Sequence, residues 1–243
     1  MEGAYTVQDL SSMFVCEMAD IAADDLVLDI CAAPGGKSLH AAQKQRVAMD
    51  KRVSENENIP EQQRAGSLAQ IGASTDGQEN NIRKEVGKLL SGGKIISRDL
   101  TEYKVSLIRE NIERLKISNI DTQVWDARVF DEKMEQRADV VIADVPCSGF
   151  GVMGRKPDIK YNITSEGLSS LIELQRRIID NAVRYVKPNG TLMYSTCTMR
   201  KAENEENVRY ILDKYDYELM EEKQLFLSED NDGFYIAKLR RNK

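Results

Sequence analysis

Short apolar runs bounded by polar or turn residues recur along this chain, and stretches of helical periodicity separate them. The runs LVLDI (26–30), KIIS (94–97), TQVW (122–125), ADVVIAD (138–144) and GTLMYST (190–196) are short and rich in Val, Ile and Thr, so they predict buried strands. Between them Val105, Ile108, Ile112 and Leu115 fall on one helical face. Leu168, Leu171, Ile172, Ile178, Ile179, Ala182 and Val186 do the same in a longer segment, and Val208, Ile211 and Leu212 in a third. KPNG (187–190) supplies the Pro and Gly that close the long helix. Strand and helix in alternation predict an α/β fold with a doubly wound, mostly parallel sheet. GFYIAKL (233–239) is expected to add a terminal strand.

One stretch breaks this order. From about residue 44 to 93 the chain is polar and rich in Gln, Asn, Glu, Ser and Gly, where a helix-to-strand connection is normally a handful of residues. Its eight Lys or Arg nearly cancel its seven Asp or Glu, so it lacks the positive charge of an RNA-gripping arm and reads as a solvated, flexible insertion. One helical face within it carries Ile82, Val86, Leu89 and Leu90. The remainder is the size of one domain, and a single domain over 1–243 is expected.

Composition narrows the class. No apolar run approaches the roughly 20 residues a membrane span needs. The opening MEGAYTVQDLSS lacks the basic start and apolar stretch of a signal peptide, so the expected address is the cytoplasm. Cys16, Cys31, Cys147 and Cys197 lie far apart and His40 is the lone histidine, so neither a metal site nor a disulfide framework is expected. A net charge of −6 argues against a surface that coats nucleic acid throughout. Basic clusters at Arg155, Lys156 and Lys160, and at Arg200 and Lys201, nevertheless flank the two later cysteines and favour an anionic substrate.

Five strand ends carry candidate chemistry. DICAAPGGKS (29–38) leaves the first strand and enters a helix near Lys37; its small residues let backbone approach a ligand, and amides at a helix start favour polar or anionic atoms. It matches neither the dinucleotide fingerprint nor the phosphate loop. Asp99 follows the second strand, where an acid can accept hydrogen bonds from ribose hydroxyls, and Asp126 holds the equivalent place after the third. A loop with two acids at successive strand ends makes a nucleoside pocket, and acidic residues suit the positive charge of S-adenosylmethionine. Cys147 in ADVPCSG and Cys197 in YSTCT sit at the ends of two further strands, where open α/β sheets place active sites. Such thiols point to covalent chemistry on a substrate that must be attacked before it is modified. Position alone does not decide which of them attacks.

Taken in order, CAAPGGK (31–37), DVPCSG (144–149) and STCT (195–198) resemble the signature of the RNA cytosine-5 methyltransferase superfamily of Sun/RsmB, Nop2 and NSUN proteins. The resemblance runs from GAYTVQDLSS to DGFYIAKL except for the polar stretch. RDLTEYKVSLIRENIERLKISNI and GRKPDIKYN look closest to the bacterial Sun/RsmB branch, which methylates a cytosine in small-subunit ribosomal RNA. It implies a seven-stranded, Rossmann-like methyltransferase sheet, S-adenosyl-L-methionine as cofactor and RNA, foremost 16S rRNA, as partner; a monomer without metal is expected. It further implies that Cys197 attacks C6 of cytosine, that Cys147 assists removal of the C5 proton or release of the product, and that Asp144 serves N3. Lys37 would lie near cofactor and base. Cys31, Ala32, Ala33, Pro34, Gly35, Gly36, Lys37, Asp99, Asp126 and Asp144 would contact the cofactor.

The branch usually carries an N-terminal RNA-binding domain; this stretch of chain is expected to hold the catalytic domain without it, so weak RNA binding is expected of this chain alone. Two rival readings remain. In a DNA cytosine-5 methyltransferase the Pro-Cys thiol attacks, which would make Cys147 the nucleophile and leave STCT without a task. A non-catalytic RNA-binding or ribosome-assembly protein on the same fold would have no need of Cys197, Cys147, Asp144 and Lys37 together.

Overall fold

The structure is a computed structural model and describes residues 8–57, 93–155, 164–228 and 232–243. Its strands are β1 (Leu26–Asp29), β2 (Lys94–Asp99), β3 (Ile120–Val124), β4 (Ala138–Asp144), β5 (Val186–Thr196), β6 (Tyr217–Leu225) and β7 (Phe234–Arg241). They form one sheet in the order β3-β2-β1-β4-β5-β7-β6. The first five in that order are parallel, and β7 runs antiparallel to both β5 and β6. The order reverses between β1 and β4, so a crevice opens at the carboxyl ends of those strands.

Alternating strand residues feed two cores. On one face Leu28, Val141, Ala143, Leu192 and Tyr194 pack against Ile178, Ile179 and Ala182 of α4 (Ser165–Tyr185) and Val208 and Ile211 of α5 (Glu205–Lys214). On the other, Val27, Val140, Ile142 and Met193 meet Val15 and Cys16 of α1 (Leu10–Met18) and Leu39 and Ala42 of α2 (Gly36–Glu57). Ile112 and Leu115 of α3 (Glu102–Leu115) join that second core. Central strands buried on both faces explain the unbroken apolar runs of the sequence.

Three boundaries differ from expectation. Residues 44–57 continue α2 instead of opening the polar stretch. Gln45 is one reason: it is buried, its Nε2 donates to the Asp25 carbonyl (2.8 Å), and its Oε1 accepts from Asn119 (2.9 Å). Ile82, Val86, Leu89 and Leu90 lie outside the described residues, as do Lys156 and Lys160. KPNG follows the end of α4 at Tyr185 but bulges inside β5, since Val186 pairs with Ala138 and Thr191 already with Val140. Strand β6 escaped the apolar criterion because Glu218, Glu221, Glu222 and Lys223 are exposed on it, the charged composition that protects a sheet edge.

Among the described residues, no helix is long and apolar enough to cross a membrane, and no group of His, Cys, Asp or Glu side chains is arranged to hold a metal ion.

Candidate active site

The carboxyl ends of β1 to β5 enclose a cavity of about 340 Å³. Each strand contributes at or just past its end: Ile30, Cys31 and Ala33 for β1, Asp99 and Leu100 for β2, Trp125 and Asp126 for β3, Asp144 to Cys147 for β4, and Cys197 for β5. From the 31–37 loop only Cys31 and Ala33 reach the wall, while Ala32, Pro34, Gly35, Gly36 and Lys37 lie behind it.

Backbone contacts shape that loop. The Ala32 N–H donates to the Arg98 carbonyl (2.9 Å) and the Gly35 N–H to the Ala32 carbonyl (2.7 Å). Gly35 takes φ +107°, and a Cβ there would stand 3.2 Å from Ile108 Cγ2, so both conformation and space call for glycine. Asp99 holds the loop from the next strand end: its Oδ2 accepts from Ala33 N–H (3.0 Å), and its Oδ1 accepts from Leu100 N–H (2.7 Å) and pairs with Lys104 (3.0 Å). Asp126 meets the Arg128 guanidinium through both oxygens, a contact that holds its carboxyl below the usual range.

Lys37 meets the cavity wall from behind, through Asp144. Its Nζ lies 2.6 Å from Asp144 Oδ2, and Asp144 Oδ1 accepts from the Ser195 hydroxyl (2.7 Å). Burial works against the Lys37 charge, but the Asp144 carboxylate outweighs it and raises the pKa. Asp29 is fully buried; burial pushes its pKa up to about 7 although the Ser38 hydroxyl donates to it (2.7 Å) and the Lys37 charge and the Cys31 backbone also favour its carboxylate.

The two strand-end thiols meet. Cys147 Sγ lies 3.0 Å from Cys197 Sγ, a hydrogen bond between free thiols. Cys197 is lowered chiefly because Cys147 donates to it, with further help from the Lys37 charge. Cys147 is raised by the same bond and by burial. One contact works the other way, for the Cys197 N–H donates to Cys147 Sγ (3.2 Å). The Gly149 backbone also bonds Cys147, and burial and the Asp144 carboxylate work against charge on either sulfur; the Lys37 ammonium acts on Cys197, and with Cys147 as the donor between the sulfurs the negative charge falls on Cys197. The remaining thiols differ: burial pushes Cys16 up to about 12 and Cys31 higher still. His40 pairs with Glu17 (3.0 Å) and ties α2 to α1, away from the cavity.

The residues that hold the thiol loops were not visible in the sequence. Ser148, Gln175, Thr198, Glu203, Asn204 and Asn207 form a buried hydrogen-bonded cluster behind them. Ser148 and Thr198 at least adjoin the motif cysteines; Glu203 lies in AENEEN, which reads as a solvated acidic helix start.

A seven-stranded sheet in this order, with a small-residue loop and acids at the ends of its first strands, is the fold of the Rossmann-like, S-adenosylmethionine-dependent methyltransferases. Comparison with known proteins narrows the class. The family described as 16S rRNA methyltransferase RsmB/F matches residues 85–240, and the chain belongs to that family, within the superfamily of Sun/RsmB, Nop2 and NSUN proteins. It is 32% identical, over 98% of its length and 48% of the relative's, to the probable ribosomal RNA small subunit methyltransferase B of Bacillus subtilis (strain 168). It is 33% identical, over 61% of its length and 35% of the relative's, to ribosomal RNA small subunit methyltransferase F of Cronobacter sakazakii. Among solved structures, NSun6 from Pyrococcus horikoshii with SFG superposes with a TM-score of 0.73 at 26% identity, covering all of this chain and 54% of that one. The chain thus spans about half the length, or less, of these relatives.

Proposed function

We propose that this chain methylates C5 of a cytosine in RNA, foremost in 16S rRNA, using S-adenosyl-L-methionine and a covalent bond between Cys197 and C6 of the base. The observation that carries the reading is the pair of thiols 3.0 Å apart on the wall of one cavity with Asp144. The names of the relatives, and SFG as an analogue of S-adenosylmethionine in the NSun6 structure, support the same class.

The cavity suits the cofactor. Its wall carries the carboxylates Asp99, Asp126 and Asp144, the first two paired with Lys104 and Arg128 on the same wall, beside loop backbone that small residues leave open; carboxylate oxygens there can accept from the hydroxyls of a nucleoside. Cys31, Ala33, Asp99, Asp126 and Asp144 would line the bound molecule, with Ala32, Pro34, Gly35, Gly36 and Lys37 fixing the loop behind it. When bound it supplies an electrophilic methyl group.

The chain's own residues prepare the base. C5 of cytosine is a poor carbon nucleophile, and a thiolate bonded to C6 makes the ring enamine-like and C5 nucleophilic. Cys197, whose thiol is the one lowered, provides that thiolate. The Lys37–Asp144 pair would hold a proton or a hydrogen bond at N3 while electron density moves through the ring. After C5 has been alkylated its proton must leave, and the C6–S bond breaks as the electrons of the C5–H bond restore the ring. Cys147, beside the attacker, would pass its own thiol proton to solvent and as thiolate take the C5 proton, while the C6–S bond electrons return to Cys197 as its thiolate.

Incubation with methyl-labelled S-adenosyl-L-methionine and unmodified small-subunit rRNA transcript, followed by nucleoside mass spectrometry, tests the reading. Label in 5-methylcytidine supports it. Label in another nucleoside, preferential labelling of DNA, or no label at all overturns it.

A further inference from the structure

The buried cluster behind the thiols has no part in the chemistry assigned above, yet two of its members grip both cysteine loops at once. Glu203 is fully buried just before α5. Its carboxylate accepts from the Ser148 backbone N–H (2.8 Å), the Ser148 hydroxyl (2.6 Å) and Gln175 Nε2 (3.0 Å), with Arg200 Nε at 3.5 Å. Gln175 also donates to the Pro146 carbonyl (2.9 Å), so the residues on either side of Cys147 are tied to Glu203 directly or through one neighbour. Asn204 treats Cys197 in the same way. Its Oδ1 accepts from the Thr196 hydroxyl (2.5 Å) and its Nδ2 donates to the Thr198 carbonyl (3.0 Å). The Thr198 hydroxyl closes the circuit at 2.9 Å from Ser148 Oγ, whose own proton goes to Glu203.

Ordinary helix chemistry does not account for this expense. A buried carboxylate is costly unless donors surround it, and an apolar side chain would anchor the helix as well. Glu205 and Glu206 already supply the acidic first turn of α5, and Asn204 stands at the N-cap without capping, its side chain turned to the Cys197 loop.

We propose that Glu203 and Asn204 are positioning residues, which clamp the loops after β4 and β5 so that the sulfurs of Cys147 and Cys197 stay within hydrogen-bond distance and Cys197 remains the attacking thiol. The proposal rests on the reading of Cys197 as nucleophile. Glu203 acts through Ser148 and Cys147; its own charge is not among the main influences on the Cys197 thiol.

Glu203→Gln and Ser148→Ala test the clamp in the full chain. Ser148→Ala deletes the hydroxyl link to Glu203 and Thr198 but keeps the backbone bond from residue 148, so it carries the test if Glu203→Gln does not fold. Two readouts are needed: steady-state methyl transfer to the rRNA transcript, and the pH profile of Cys197 alkylation by iodoacetamide, read by peptide mass spectrometry. Losing the sulfur–sulfur bond is expected to move the alkylation midpoint up by about one pH unit in both variants. The methyl-transfer kcat should fall about 100-fold in Glu203→Gln and about 10-fold in Ser148→Ala, with KM for both substrates within about twofold of wild type. A midpoint unchanged from wild type in a folded variant overturns the clamp, whatever kcat does. A midpoint that moves in variants of a chain that methylates no RNA supports the clamp and overturns the assigned reaction.

Discussion

The loop after β1 and the loops after β4 and β5 face one cavity but are held by different means. The first is shaped by backbone: Ala32 on Arg98, Gly35 on Ala32, and Ala33 on the Asp99 carboxylate at the adjacent strand end. Helices on either side add contacts to its carbonyls, Asn111 Nδ2 donating to Pro34 (3.1 Å) and Cys16 Sγ to Lys37 (3.2 Å). The thiol loops are shaped by side chains from α4 and from the turn into α5, through Gln175, Glu203 and Asn204, none of which reaches the cavity wall. A loop that presents backbone to a nucleoside can be specified locally. Two thiols that must differ in protonation while touching need an external frame, because their relative position decides which one carries the charge.

The Lys37–Asp144 pair spans the two halves, and breaking it should disturb both at once. Lys37→Met leaves Asp144 with the Ser195 hydroxyl alone and removes the ammonium that favours a thiolate at Cys197. A loss of about 100-fold in kcat is expected in a methyl-transfer assay, together with an upward shift of the Cys197 alkylation midpoint. A loss confined to cofactor affinity would place Lys37 wholly in the first half.

Gly35→Ala should disturb the first half alone. The added Cβ meets Ile108 in a backbone conformation that L side chains rarely adopt, so cofactor affinity by calorimetry should weaken about 10-fold. Alkylation of Cys197 should not change, and a change there would mean the halves are coupled.

The smallest effect concerns stability. Asp29 beneath the first loop ordinarily titrates near 3.8, its unfolded value, and at about 7 in the fold, so the folded chain binds the extra proton between those limits. Its contribution is therefore fully present below about pH 4 and is lost as pH rises through about 7. Asp29→Asn, whose carbonyl can still accept from Ser38, should gain on wild type between pH 5 and pH 8 by a few degrees (about 3 °C) in melting temperature. A constant difference between the two pH values would contradict the assignment.

This contrast also explains what the sequence disclosed. Four of the five parallel strands were legible because both their faces are buried, β3 being a partly exposed edge, and the 31–37 loop because its task requires small residues in a row. Cys147 and Cys197 were legible as strand-end thiols, but their contact depends on the register of β4 against β5, in which Asp144 stands beside Ser195. Asp99 and Asp126 were legible as strand-end acids and both line the cavity, while their partners Lys104 and Arg128 were not anticipated. Glu203 and Asn204 were hidden for a plain reason: an acidic, Asn-containing helix start usually faces water, and only the fold turns these two side chains inward. Strand β6 was missed because an edge strand need not be apolar.

The central claim is that Cys197 attacks and Cys147 releases. Denaturing gel analysis of each cysteine variant after incubation with S-adenosyl-L-methionine and the rRNA transcript tests it directly. The account predicts that Cys147→Ala accumulates a protein covalently joined to RNA, while Cys197→Ala forms no such species and loses methyl transfer by at least about 1,000-fold. An RNA-linked species in Cys197→Ala, or full activity in that variant, would contradict it.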